Sequence, residues 1–260
     1  MKLERKISRN KYILFGSAGL LVFLSVWSLL TYTGLVPAFF LPPPSKVLSA
    51  IADLLIKGNL LGDIFASSSR IFFGFLLSLV VALPIGIALG ISRKFEAFIE
   101  PIIAFIRYIP PSAFIPLAII WFGIGELEKV TILFMGIAPY LTLLIADVVI
   151  NSRRDLVEAA LTLGADHQSV ILKVILPNCF PGIWDSLRIM MGAAWTFVII
   201  AEIVGASAGL GHLMIESQRF LRTDNIFGGI VVIGFLGLTT DYFFKVTYKS
   251  LFKWTEKSNA

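Results

Sequence analysis

Residues 71–92, IFFGFLLSLVVALPIGIALGIS, decide the fold class because they contain no charged side chain across 22 positions. Residues 12–45 form a second run, of 34 positions, that also lacks charge. About 20 apolar residues cross a bilayer as a helix, so runs of this length are typical of membrane spans. The whole chain agrees: of its 260 residues, 57% are hydrophobic and only 15% are charged, against about a quarter in soluble domains. The sequence therefore predicts a membrane protein.

Hydropathy predicts an all-α polytopic membrane protein with about six transmembrane helices. The expected spans are residues 12–32, 67–91, 98–121, 130–150, 181–204 and 226–244. Pro110 and Pro111 interrupt the third span, because proline kinks or ends a helix. We also expect a short surface helix over residues 45–57, with Ser45 as its N-cap.

The distribution of basic residues predicts the orientation of the chain. With the N-terminus inside, 14 of the 22 Lys and Arg residues fall on the cytoplasmic side, as the positive-inside rule requires. The external side holds six: Lys46, Lys57, Arg70, Lys129, Arg219 and Arg222. We therefore expect a single transmembrane domain, 12–250, between two cytoplasmic tails, 1–11 and 251–260. Because the positive charge lies at span ends, the net charge of +5 does not indicate a nucleic-acid partner, and the lipid bilayer is the expected environment.

Loop 151–178, NSRRDLVEAALTLGADHQSVILKVILPN, concentrates charge in a chain that is otherwise poor in it. Ser152 and Asp155 have the spacing of a capping box at the start of a helix. Gly164 is expected to end that helix, since glycine adopts the left-handed conformation that many helix ends need. The loop therefore begins with a short amphipathic helix, and by the charge count it lies in the cytoplasm.

A second short helix is expected to follow, with Asp166 as its N-cap and Pro177 closing it. Each helix of the loop has one apolar face. Two interpretations fit this pattern: a hairpin that lies on lipid headgroups, or a surface that docks on a soluble protein. The mixed sign of the charges and the small side chains favour docking.

Small residues follow a glutamate at fixed spacing within the loop: Glu158, Ala159, Ala160, Gly164, Ala165, and further on Leu176 and Pro177. This pattern resembles the EAA loop of ABC importer permeases. The resemblance implies that these residues, with Asp166, belong to coupling helices that contact ATP-binding subunits. It also implies a bacterial inner-membrane protein that assembles with an external substrate-binding protein and with a second permease copy. That assembly is expected to be a homodimer, with a heterodimer with a sister permease as the alternative.

Other segments resemble the branch of that family that handles taurine, alkanesulfonates, nitrate, bicarbonate and thiamine precursors. They are LPPPS at 41–45, the proline pair at 110–111, IWFGIG at 120–125, AEI at 201–203 and GLG at 209–211. The segment FLRTD at 220–224 is most similar to taurine permeases. The resemblance implies transport of a small anionic solute, with thiamine or pyrimidine precursors as the alternative.

The chain lacks the G-x-x-x-x-G-K-[ST] loop that holds nucleotide phosphates. We therefore expect no cofactor on this chain and no catalysis by it, with ATP and Mg²⁺ bound on a partner subunit. The single cysteine excludes an internal disulfide. His167 and His212 have no carboxylate at ligand spacing, so no metal site is expected.

Charged residues inside spans are costly, so they usually face a cavity and mark function. The candidate translocation path comprises Arg107, Tyr108, Pro110, Pro111, Arg188 and Glu202. Alternatives exist for each charge. Arg107 also fits snorkelling to the headgroups or pairing with Glu100, and Arg188 fits pairing with a carboxylate. Glu202 fits either capping of backbone donors in the loop 205–211 or gating of the path.

An ion-coupled secondary transporter is the main alternative of another class. Such proteins need carboxylates or broken helices at the membrane midplane and show inverted repeats. Asp147, Glu202 and Asp241 lie near span ends and no inverted repeat is visible. An intramembrane enzyme is also disfavoured, because the spans contain no Ser/His, His/Asp or metal-binding constellation.

Overall fold

The computed structural model describes residues 8–152 and 154–255, and every regular element in these residues is helical. The helices are α1 (Arg9–Tyr32), α2 (Pro44–Ile56), α3 (Leu60–Ile91), α4 (Arg93–Arg107), α5 (Ile115–Phe122), α6 (Glu126–Ile150), α7 (Arg154–Thr162), α8 (His167–Glu202), α9 (Leu210–Arg219) and α10 (Thr223–Leu251). The predicted tails, 1–11 and 251–260, lie largely outside the described residues and stay predictions.

The prediction of about six membrane-spanning helices is confirmed. Five helices, α1, α3, α6, α8 and α10, are long and apolar enough to cross a membrane. Arg93–Arg107 and Pro111–Phe122 pass the same test only as a pair bent by 90°, which forms a broken span or a re-entrant loop, so the described residues contain five or six spans. The bend falls at Pro110 and Pro111, where missing N–H groups and fixed φ angles interrupt helical bonding. After the bend, a 3₁₀ turn, Pro111–Phe114, leads into helix α5.

Two compact units account for the described residues. The first comprises the described part of Met1–Leu60 with Leu213–Val231, and the second comprises Leu61–His212 with the described part of Val232–Ala260.

In the first unit, Ser45 is not the N-cap of α2, so that prediction is wrong. Pro43 holds the cap position and Pro44 begins the helix, because the fixed φ of proline suits the first helical position. Ser45 lies inside α2 and accepts a hydrogen bond of 2.7 Å from the Tyr32 hydroxyl.

Helix α6 forms the centre of the second unit, and much of its length is buried. Helix α3 approaches it closely through glycines. A Cβ atom added at Gly86 would lie 2.7 Å from the carbonyl oxygen of Thr142 and 2.8 Å from the Cβ of Ile145. A Cβ at Gly74 would lie 2.6 Å from the Cβ of Leu133. Helices in a bilayer gain little from hydrophobic burial against each other, so close backbone approach at small residues supplies the packing.

We expect Gly86→Ala to lower the stability of the protein by about 1–3 kcal/mol, the usual cost of overpacking a close contact. The matched control is Gly192→Ala, since Gly192 is helical and exposed, with nothing within 4 Å of an added Cβ. That variant should be unchanged, or more stable by about 0.5–1 kcal/mol.

Thermal unfolding in detergent can be followed by dye labelling of the single cysteine, Cys179, which is buried. Equal melting of the two alanine variants would refute the proposed role of glycine in the α3–α6 contact.

Candidate functional site

The first short helix of loop 151–178 ends as predicted. Helix α7 stops at Thr162, and Gly164 has a φ of +83°, the left-handed region that favours glycine. The amide of Ala165 donates to the carbonyl of Ala160 at 3.0 Å, and the amide of Gly164 donates to Leu161 at 3.0 Å. These two bonds form a Schellman motif. Position 153 lies outside the described residues, so the capping box of Ser152 and Asp155 stays a prediction.

Asp166 caps the next helix, as expected. Its carboxylate accepts a hydrogen bond of 3.4 Å from the backbone amide of Ser169. Hydrogen bonds from the side chain of Ser169, and then from its backbone, lower the pKa of Asp166. The stability that the ionised Asp166 cap contributes is fully present at pH values above the ordinary pKa of aspartate. It is lost as the pH falls through the lowered pKa of Asp166.

Pro177 does not close the second helix, and that prediction is wrong. The helix that begins at His167 continues without a break to Glu202. Residues Ile171–Ile175 form a π-helical turn in which the amide of Leu176 donates to the carbonyl of Ile171. Pro177 follows directly and has no N–H to donate. The wider turn lets the chain pass the proline, so the second half of the loop and the fifth span are one helix.

The surface of the loop combines charge with exposed apolar groups. Glu158, Ala159 and Asp166 are exposed, and Ala160 and Ala165 are half-buried. Leu163, beside the glycine bend, is 88% exposed.

A buried ion network lies at the other end of α8. Glu202 is 1% exposed and accepts three hydrogen bonds of 2.7 Å, from the Ser67 hydroxyl, from Nη1 of Arg70 and from the amide of Gly211. Arg70 also donates from Nε and Nη2 to both carboxylate oxygens of Glu126, at 2.7 and 2.6 Å. One buried cation is thus shared between two carboxylates from different helices.

The network holds the start of α9 by its backbone. Three successive amides are bonded to side chains: Gly209 to Asp63 at 2.8 Å, Leu210 to Ser67 at 2.9 Å, and Gly211 to Glu202. These amides have no partners within the helix, because the first N–H groups of a helix never do. Of the two roles expected for Glu202, the geometry shows the capping of loop donors.

Glycine at 209 is required by this arrangement. Gly209 has a φ of +124°, and a Cβ there would lie 2.5 Å from atoms of the Glu202 carboxylate. The sequence GLG at 209–211 therefore reflects the close approach of a carboxylate to backbone amides.

The other candidate path residues have separate partners. Arg107 donates from Nη2 to the Tyr108 hydroxyl at 3.0 Å, and its guanidinium lies 4.9 Å from the centre of that ring. Among the described residues it forms no ion pair with Glu100. Arg188 pairs with Asp241 at 2.7 Å, as the alternative for that residue expected. Pro110 and Pro111 form the break between α4 and α5.

Sequence reasoning missed Arg70, Ser67, Asp63 and Glu126. Arg70 and Lys129 were counted as external charges at span ends, but both are buried, and Lys129 pairs with the neighbouring buried Glu128 at 3.0 Å. Arg70 lies three positions after Ser67 at the start of a strongly apolar helix. Its position was the available signal, because charged residues in such helices usually pair with other polar groups.

Residues 82–256 match the protein family described as binding-protein-dependent transport system inner membrane component. The chain belongs to this family. It is therefore the permease component of an ABC importer, and its family implies an ATP-binding subunit and a substrate-binding protein as partners.

Curated relatives match this permease over most of its length. A probable ABC transporter permease of Brucella abortus is 40% identical over 89% of this chain and 92% of its own. The taurine transport system permease protein of Escherichia coli is 32% identical over 98% of this chain and 94% of its own. The putative aliphatic sulfonates transport permease protein of Bacillus subtilis is 31% identical over 90% and 84%.

A solved structure shows the same fold. A chain of the MetNI methionine ABC transporter, in an inward-facing conformation, superposes with a TM-score of 0.68. The match covers 74% of this permease and 95% of that chain at 20% identity.

We expect Glu202→Ala to destabilise the permease by about 3–5 kcal/mol, because it leaves the buried Arg70 with one partner fewer. Ser67→Ala should cost about 1–3 kcal/mol, since the amide of Leu210 loses its acceptor. Dye labelling of Cys179 during heating measures both.

Glu100→Ala is the control for these two variants, because Glu100 is exposed. It should change the stability by less than about 0.5 kcal/mol. If Glu202→Ala unfolds at the temperature of this control, the network does not hold the loop.

Proposed function

We propose that this permease moves a small anionic solute, taurine or another sulfonate in the first instance, from a binding protein into the cytoplasm. Two copies of the chain form the pore, and ATP with Mg²⁺ is bound and hydrolysed on partner subunits. Both termini and loop 151–178 lie in the cytoplasm. The observation that supports the solute class is the similarity to the taurine permease over 98% of this chain. Docking on the ATP-binding subunits is supported by the bend at Gly164, which presents exposed charged and apolar residues.

The cytoplasmic assignment of the loop is supported by the charge distribution. Arg70 and Lys129 are buried in ion pairs, so they no longer count as external flanking charges. The remaining external basic residues are Lys46, Lys57, Arg219 and Arg222. The asymmetry toward the cytoplasmic side is therefore larger than the sequence count suggested.

Docking of the loop on ATP-binding subunits is supported by its surface. Leu163 is almost fully exposed and offers an apolar side chain to a partner beside the glycine bend. Glu158 and Asp166 flank it with negative charge. Ala159 and Gly164 have little or no side chain, so a partner can approach the backbone closely there.

Coupling follows from the continuity of α8. Its first turn is part of the loop, and its last residue, Glu202, holds the start of α9. A displacement of the loop on nucleotide binding is carried along this helix to the external end of the membrane domain. Nucleotide then shifts the population between inward-open and outward-open states by binding one state more tightly.

The substrate class is supported by the relatives. The taurine permease aligns over 98% of this chain and the sulfonate permease over 90%. Arg107 and Tyr108 lie at the 90° break between α4 and α5. Broken helices line substrate paths in other transporters, and a guanidinium there suits an anion. We therefore place this break on the translocation path.

The substrate proposal is tested with the purified permease, its ATP-binding subunits and its binding protein reconstituted in liposomes. We expect binding protein loaded with taurine or an alkanesulfonate to stimulate ATP hydrolysis several-fold over unloaded binding protein. Nitrate and bicarbonate test the wider anion class. Stimulation only by a pyrimidine or thiamine precursor would overturn the anion proposal.

Replacing Gly164 by valine should abolish this stimulation without preventing membrane insertion. A β-branched residue is strained at a φ of +83°, so the bend that presents the loop would change. Gly19→Val is the matched control, because Gly19 is exposed with nothing within 4 Å of an added Cβ. It should keep the stimulation. Normal coupling in Gly164→Val would refute the role of the loop.

A further inference from the structure

The guanidinium of Arg70 is bonded on two separate sides. On one side, Nη1 donates to Glu202 and to the carbonyl of Ala208, both at 2.7 Å. On the other side, Nε and Nη2 form a bidentate pair with Glu126. The first side fixes the orientation of the planar group, so the second side keeps its direction whether or not Glu126 is present.

The two carboxylates differ sharply in exposure. The side chain of Glu202 is fully buried and that of Arg70 is 4% exposed, whereas that of Glu126 is 66% exposed. Glu126 is the first residue of α6 and follows the turn at Gly123 and Gly125. The pair is bidentate and its cation is buried, so losing Glu126 without a replacement would be costly. Exchange for another anion restores the pair, and Glu126 is the carboxylate of Arg70 that solvent reaches.

The position of the Glu126 carboxylate is built for one small oxyanion. A guanidinium fork matches two oxygens of a carboxylate, and a sulfonate presents oxygens in a comparable arrangement. Replacing one monovalent anion by another leaves the charge of the network unchanged. Because Glu202 and Ala208 already hold Arg70 in place, an incoming anion meets a preorganised donor pair, which lowers the cost of binding.

We propose that Arg70 binds the anionic head of the transported solute, and that Glu126 occupies this position as an internal substitute until the solute displaces it. The proposal rests on the proposed function, which places this end of α6 on the external side, where the binding protein releases its cargo. Displacement of Glu126 frees the start of α6 from α3, while the bonds of Glu202 to α9 remain.

The test uses the permease assembled with its ATP-binding subunits in phospholipid-free detergent, with no binding protein present. Equilibrium binding of radiolabelled taurine and methanesulfonate is measured for the wild type and for Glu126→Ala. We expect at least fivefold tighter binding in the variant, because the competing internal carboxylate is gone. Glu100→Ala, at another exposed glutamate, should bind as the wild type does.

A second substitution distinguishes the bidentate geometry of the Arg70 guanidinium from the effect of its positive charge alone. Arg70→Lys keeps a cation beside Glu202 but removes the bidentate geometry. In the Glu126→Ala background it should return the affinity to the wild-type value or below, with folding checked by the labelling of Cys179.

Unchanged binding in Glu126→Ala would overturn the proposal. So would a gain seen only with added anionic phospholipid, or only with the binding protein present, since a lipid headgroup or an acidic side chain of that protein would then be the occupant. If sulfonate-loaded binding protein still stimulates ATP hydrolysis by the wild-type transporter in liposomes, only this inference fails. If no anion stimulates it, the proposed function fails first.

Discussion

The continuity of helix α8 is the constraint on which the rest of this structure depends. It runs for 36 residues, from His167 in the loop to Glu202 in the buried network, which at 1.5 Å per residue is about 54 Å. Both ends are fixed by side chains: Asp166 accepts from the first turn, and Glu202 binds Arg70 and the amide of Gly211. Loop 151–178 and the loop before α9 are therefore joined by one continuous helix.

Burial of charge determines how the far end of that helix is organised. A carboxylate removed from water is strongly unfavourable unless ion pairs and hydrogen bonds replace its hydration. Glu202 accepts three such bonds, and Arg70 donates to two carboxylates. The price of this arrangement is a requirement for glycine at 209, because any side chain there would displace the carboxylate. The network thus fixes the loop and leaves only Glu126 accessible.

Local sequence patterns predicted much of the fold. The features that they did not predict depend on residues far apart in the sequence. Runs of apolar residues gave the spans, the proline pair gave the 90° break, and Gly164 gave the end of α7, since each is set by neighbours in sequence. Pro177 was misjudged because proline usually ends a helix, whereas the π-helical turn before it relieves the missing hydrogen bond. Arg70 was missed because its partner Glu202 is 132 positions away, and nothing local to either residue indicates the pair.

The most direct test of the account is the distance between spin labels at the two ends of α8. Labels are placed at Gln168→Cys and Ile203→Cys, both exposed positions, in a Cys179→Ser background, with labelled and unlabelled copies mixed. Electron spin resonance then compares the nucleotide-free transporter with the ATP-trapped one. The account predicts the same distance in both states, because α8 moves as one rigid element. A shift of several ångströms would contradict it and would place a hinge at the π-helical turn Ile171–Ile175.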